Sequence, residues 1–269
     1  MKILYVHERF GALAGAEANA HITATELGKR GHTIGILHGP STGKNEPAWQ
    51  TTFPFRAALG DGDNSAVVKK ALADFSPDAI YVHKMADLAV IQTLVESGVP
   101  LLRMVHDHDI YCMRSYKYNY FTREICTRAA SPYCIFPCLA SVVKNSGGGF
   151  PLKWVSYSEK KKEIALNRRF DRMVVVTNYM RDELLKNGFD SKRIEIHAPV
   201  PRTLTLWTRS TSKASRNYCA YPSHLALLNS GHTDPFIHPV ITITSGSWTA
   251  WKNIFPKPLF FRCGASTGV

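Results

Sequence analysis

With 269 residues and 45% hydrophobic content, the chain has the make-up of a globular protein with a real core, built as one large domain or two small ones. It has no run of apolar residues long enough to span a membrane and no charged, apolar and cleavable leader, which predicts a cytoplasmic location, free or at the inner face of the membrane. The net charge of +12 is unevenly spread: beyond Glu195 seven Lys or Arg face the single acid Asp234, so the remainder is only mildly basic. That balance suits anionic substrates or lipid head groups, and without a zinc finger, RNA-binding signature or basic helix it predicts no nucleic-acid partner.

In chain order, Lys2 to Val6 is a short apolar run that reads as a strand buried on both faces. The loop His7 to Ala14 carries Gly11 and leads into Gly15-Ala16-Glu17. Ala18, Ile22, Ala24 and Leu27 then recur at near-helical spacing until Gly31, and Thr33 to Leu37 forms the next strand of a βαβ unit. Small residues at a helix start let a backbone or a phosphate come close, and the free N–H groups there favour an anion. Gly11, Gly15, Ala16 and Glu17 are therefore candidate binding residues.

His38 to Gly62 reads as a loop-rich insertion. Its Gly39 to Gly43 spacing is one residue short of a phosphate loop, and Asn45 stands where a magnesium-holding Ser or Thr is needed, so it is taken as a surface loop. Asp61-Gly62-Asp63 reads as a turn plus a helix cap, with Asp63, Asn64 or Ser65 capping a helix to Asp74. Ser76-Pro77-Asp78 stops it. Ala79 to His83 is a strand, Ala86 to Glu96 a helix ended by Gly98 and Pro100, and Leu101 to Val105 another strand. This alternation predicts a parallel sheet covered on both faces, with ligands at the carboxyl ends of its strands, where His106-Asp107-His108-Asp109 falls.

A strand led by Lys-Ile-Leu, a glycine-bearing loop, Gly15-Ala16-Glu17 opening an alanine-rich helix, and Gly31-His32 before the second strand resemble the start of a glycosyltransferase family 4 protein of the GT-B type. The resemblance extends to about Pro201. It implies an α/β fold, a Rossmann-like doubly wound parallel sheet forming the N-terminal, acceptor-side half of a GT-B enzyme (residues 1–201). It also implies retaining transfer of a sugar from a nucleotide-sugar donor to a carbohydrate or lipid-linked acceptor, the nucleotide-sugar being a substrate and no cofactor being required. His106 takes the position of the family histidine that faces the transferred sugar, which makes it the catalytic candidate. Asp107, next to it, either orients that imidazole or caps the following turn.

Tyr111 to Cys138 is rich in Cys, Tyr and Arg. Cys112, Cys126, Cys134 and Cys138, with His108 nearby, supply enough soft ligands for zinc or an iron–sulfur cluster. Their gaps of fourteen, eight and four residues match no standard knuckle, so the segment is read as a structured loop over the acceptor cleft with no metal assigned. Gly147-Gly148-Gly149 reads as a hinge-like break. Phe150, Trp154 and Tyr157 then mix with Lys153, Lys160, Lys161, Lys162, Arg168 and Arg169, which is either a peripheral membrane contact or a solvated helix face with Glu159 and Glu163 pairing in place. Arg172 to Val176 is a strand, Thr177 caps a helix through Asn187, and Arg193 to His197 leads out.

Residues 202–269 are read as an irregular basic tail, loaded with Ser, Thr, Pro, His and Trp, with no Glu after Glu195. The second Rossmann-like domain that the resemblance calls for, with its paired glutamates, is not legible there. The expectation is that the reading frame changes near Arg202, or else that the tail is a divergent segment used in assembly, and that the chain is truncated and inactive. Two other readings stay open: a non-catalytic acceptor-domain module working with a partner chain, and a Cys/His metal-binding protein.

Overall fold

The structure, a computed structural model, describes residues 1–119, 121–144 and 152–197. The expectations for Gly147 to Gly149, Phe150 and the tail from 202 lie outside the described residues. Seven parallel strands form one sheet: β1 (Lys2–His7), β2 (Thr33–His38), β3 (Phe55–Ala58), β4 (Ala79–Lys84), β5 (Leu101–Val105), β8 (Arg172–Val175) and β9 (Ile194–Ile196), in the order β3-β2-β1-β4-β5-β8-β9. β6 (Val142–Lys144) and β7 (Leu152–Trp154) make a separate antiparallel pair.

Because β2 lies on one side of β1 and β4 on the other, the chain reverses its winding direction there. The carboxyl ends of β1 and β4 are thus the topological switch point, where open α/β sheets bind their ligands. Register brings His7 level with His38 on one side and with Lys84 on the other, after a bulge between Val6 and His7.

Six helices cover the sheet: α1 (Gly15–Lys29), α2 (Glu46–Thr52), α3 (Asn64–Phe75), α4 (Leu88–Glu96), α5 (Tyr157–Asn167) and α6 (Asn178–Lys186). Each central strand is apolar on both faces, as two-sided cover requires. Leu4, Val6, Ile80, Val82, Leu101 and Val105 share one cluster with Val68 and Ala71 of α3, Val90, Ile91 and Leu94 of α4, Ile164 of α5 and Leu184 of α6. The alternate residue Tyr5 instead meets Phe53 and Tyr81 edge-on, beside α1 and α2.

Helix starts follow the expected chemistry. Asp63 caps α3, its carboxylate accepting from the N–H groups of Ser65 and Ala66, and Asp87 and Thr177 cap α4 and α6 in the same way.

The 38–62 segment is not a plain loop. It contains α2 and the edge strand β3, and it buries Trp49 and Phe53 completely. One large apolar side chain on a seven-residue helix and a second on the residue that ends it do this, too short a pattern for periodicity to register. Trp49 packs against Phe10, His7 and His21, so the insertion forms an aromatic floor beneath the loop after β1.

Two glycines are needed at this junction. A Cβ on Gly39 would lie 2.0 Å from the Glu8 carbonyl oxygen, and Gly11, at φ +107, would place one 2.7 Å from the Lys44 carbonyl oxygen. Backbone cannot yield as a side-chain tip can. Gly39→Ala is expected to destabilise the protein by about 3 kcal/mol in urea unfolding. Gly15→Ala, whose Cβ would meet nothing within 4 Å, is expected to stay within about 0.5 kcal/mol of wild type. Equal behaviour of the two variants would show that the β1–β2 junction tolerates separation.

Candidate functional site

Histidine recurs at the carboxyl edge of the sheet: β1 and β2 end in His7 and His38, His83 is the last but one residue of β4, and His106 and His197 directly follow β5 and β9. That repetition is the signal that a reading focused on His106 passes over.

His83 and His106 stand side by side, Nδ1 of the first 3.2 Å from Nε2 of the second, with rings stacked at 5.3 Å. His83 also stacks on Tyr5, and its own Nε2 is buried without a hydrogen-bond partner. His7 is buried. Its Nδ1 accepts from the Arg9 N–H, which places the proton of the neutral ring on Nε2, 4.0 Å from the Glu17 carboxylate. Glu17 also accepts from the Ala14 N–H, closing the first turn of α1.

Burial holds all three imidazoles neutral. It pushes His7 down to about 4, with Lys84 adding to the effect and Glu17 opposing it. It likewise pushes His106 to about 4, helped by His7 and opposed by Asp107, and it depresses His83 further. Neutral rings offer both a donor and an acceptor, which suits hydroxyl groups better than phosphates.

Beside them lies a charged knot. Lys84 Nζ is 3.3 Å from Asp107, 3.8 Å from Glu8 and 3.9 Å from Asp109. Burial alone would lower the ammonium, but these three carboxylates outweigh it and hold Lys84 above its ordinary value. Burial raises Asp109 to about 7, and its neighbour Asp107 raises it further. Asp107 itself is held low: burial opposes this, yet its hydrogen bonds with Asp109 and with Lys84 prevail. Asp107 Oδ1 accepts from the Asp109 N–H, so this carboxylate does cap the turn after β5 while also pairing with Lys84.

Behind the knot, Arg103 is fully buried, donating to Asn167 Oδ1 and the Met85 carbonyl. Lys160 donates to the Asp109 carbonyl and to Glu163 at 2.5 Å each, so this part of α5 faces inward. The expected solvated Glu163 is instead buried, and burial lifts its carboxyl above the ordinary range.

The sequence-predicted residues therefore separate into groups. His106 and Asp107 lie in the cluster. Glu17 joins it through His7, but with its carboxylate turned inward. Gly11 sits in the loop packed on residues 42–44, where its missing side chain serves chain packing. Gly15 opens α1 in free space, followed by the partly buried Ala16. His7, His83, Lys84 and Asp109 are members that motif reading did not select. A cleft of about 220 Å³ is lined by Glu8, which pairs with Lys84, and by Gly39, Asp61, Asn64 and Asp87.

A consequence for stability can be measured. In the unfolded chain each histidine binds its proton near 6.5, whereas folded His7 and His106 refuse it until about 4. Their contribution is fully present above 6.5 and is lost as pH falls from 6.5 towards 4. Asp109 acts in the opposite sense, taking up a proton near 7 in the folded state and near 3.8 when unfolded. Two protons against one, with depressed His83 adding to the first set, leave a net uptake on unfolding of one to two. Urea unfolding between pH 6 and 5 is expected to lose roughly 1.4–2.7 kcal/mol per pH unit. A flat profile would mean that these imidazoles are solvated.

Among the described residues, no helix is long and apolar enough to cross a membrane. Trp154 is exposed on β7.

Several solved structures are similar to this chain. Anabaena HepE in complex with UDP is 12% identical with a TM-score of 0.44, over 78% of this chain and 50% of that one. UDP-GlcNAc 2-epimerase from Methanocaldococcus jannaschii is 12% identical with a TM-score of 0.41, over 73% and 45%. The apo form of WaaB, a lipopolysaccharide outer core galactosyltransferase, gives the same identity, score and coverages. The chain thus spans about half the length of the solved structures it matches. No curated protein sequence matches it. Residues 13–199 match the model of Glycosyltransferase Family 4, and the chain belongs to that family.

Proposed function

We propose that this protein takes part in the transfer of a sugar from a nucleotide-sugar to a carbohydrate or lipid-linked acceptor, with retention of configuration. Residues 1–201 would form its acceptor-side domain. The observation that carries the reading is the placement of His106. A half-buried neutral imidazole stands at the carboxyl end of β5, its Nε2 held by His83 and its flank set by the Lys84–Asp107 pair.

In this reading His106 hydrogen-bonds a hydroxyl of the transferred sugar while the nucleoside diphosphate departs. Its neutrality matters, because a protonated ring could only donate, whereas the neutral ring keeps one nitrogen to accept. Lys84, charged and partly exposed, would offset negative charge that develops nearby. The glycine-bearing loop at 11–16 would border the donor, with the backbone N–H groups that open α1 facing it.

The ligands for the diphosphate and the ribose would come from a second αβ domain with paired glutamates. No Glu follows Glu195 within the 269 residues, so residues 202–269 do not supply them. Alone, this chain is therefore proposed to be inactive, and its environment is proposed to be the cytoplasm or the inner face of a membrane. The test is release of nucleoside diphosphate from a panel of nucleotide-sugars, with the chain alone and with a family 4 donor-side domain added. Release that needs both supports the reading. Equal release by the chain alone would show that the donor site is already complete.

A further inference from the structure

Cys112, Cys126, Cys134 and Cys138 are spread along the segment after β5, yet all line one cavity of about 20 Å³. That is room for a single atom or water molecule. All four are free thiols, Cys138 buried and the others half-buried. Burial pushes the Cys134 thiol above its ordinary value, against a backbone hydrogen bond from Ser131, and each of the other three cysteines adds to the rise. Lys117, Arg114 and Arg128 line the same cavity.

The segment around this void is tied to α6 by the Lys117–Glu183 ion pair and the Ala130–Asn187 hydrogen bond, but it has little regular structure of its own. Between β5 and β6 the described residues form no α-helix, only one short 3-10 turn at Pro132–Cys134 and an isolated bridge between Tyr118 and Ile125. Ser115, Lys117, Arg123 and Leu139 all adopt positive φ, which costs energy for residues with a Cβ. Its own buried core is Met113, Cys138 and Ala140, while Tyr116, Phe121, Ile125 and Phe136 are exposed. A core that small seldom orders a loop of this length without a cross-link.

We propose that Cys112, Cys126, Cys134 and Cys138 form a tetrathiolate site for one structural zinc ion, closing inward on the void they already share. Among the described residues no three His, Cys, Asp or Glu side chains yet stand at ligating geometry, so binding requires the sulfurs to move together. Four sulfurs and no oxygen select a soft ion over magnesium or calcium, and four protein ligands leave no open coordination position. On binding, the thiols release their protons to solvent. The resulting tetrathiolate carries a net charge of −2, which Arg114 and Arg128 offset, Lys117 being already paired with Glu183. The ion would pin the segment beside His108 and so fix the turn that carries Asp107 and Asp109.

The full chain, grown with added zinc and purified under reductant without metal-affinity resin, is analysed by mass spectrometry for bound metals. About one zinc per chain is expected, falling below about 0.2 in Cys126→Ser/Cys134→Ser. Because that variant can fail to fold, wild-type protein is also titrated with a mercurial thiol reagent beside a chromogenic zinc indicator. Zinc should leave in step with four thiols, and cobalt-exchanged protein should show thiolate charge-transfer absorption. Folded wild-type protein with under about 0.2 zinc and four freely titrating thiols would overturn the proposal. Iron with inorganic sulfide in place of zinc would overturn it as well.

Discussion

His106→Ala is expected to lower sugar transfer by about 10²–10³-fold, measured with the donor-side domain present, and to leave most of the protein folded. The two effects separate because His106 stands at the partly exposed end of the histidine stack. Its ring rests on His83 at one side. Removing it forfeits one hydrogen bond and one ring contact, about 1–2 kcal/mol of stability. If the ring served only to satisfy His83, transfer would fall no further than the folded fraction does. A loss of less than about tenfold with the fold intact would therefore remove His106 from the chemistry.

The largest effect on stability is expected at the ion pair between Lys117 and Glu183. The Lys117 Nζ lies 2.8 Å from the Glu183 carboxylate, and the two side chains are 4% and 0% exposed. The pair joins the cysteine-rich segment to α6, close to a second tie in which the Ala130 N–H donates to Asn187 Oδ1. Glu183 keeps a second cation, Lys186 at 2.7 Å, but Lys117 has no other carboxylate within ion-pair distance among the described residues. Glu183→Ala would leave a buried ammonium with only the Arg128 carbonyl, at an expected cost of about 3–5 kcal/mol. In thermal unfolding this amounts to roughly 6–15 °C. Glu183→Leu combined with Lys117→Met should recover most of that loss, since an apolar pair of similar volume needs no charge compensation. If the double variant is no more stable than Glu183→Ala, packing rather than charge governs the contact.

How much of this was legible in the residues varies with the kind of signal. Strands such as Leu101–Val105 were readable to the residue, because a parallel sheet buried on both faces demands a mainly apolar run, interrupted here only by Arg103, and Gly98 and Pro100 punctuate it. Capping chemistry was equally plain: Asp63 and Thr177 do what short polar side chains before a helix do. The insertion at 38–62 was misread as loop since Trp49 and Phe53 act through size, not period, and β3 is an edge strand that alternates half-buried and exposed residues. Lys160 and Glu163 looked like a solvated pair. Their inward turn depends on a partner 51 residues away, the carbonyl of Asp109, which no local window contains.

The site shows the same division. His106 was identified by its place after a strand, and a family histidine stands there. His7 and His83 needed the strand order, because only the adjacency of β1, β4 and β5 brings their side chains to one edge. The four cysteines were visible as a count and their spacing looked unhelpful. Their common void is a property of three-dimensional turns.

The most direct measurement is transfer of labelled sugar from nucleotide-sugars to carbohydrate and lipid-linked acceptors by the full chain supplied with a family 4 donor-side domain. The account predicts labelled product only when both parts are present, reduced at least about 100-fold by His106→Ala. No product with any donor and acceptor, or equal product from His106→Ala, would contradict it.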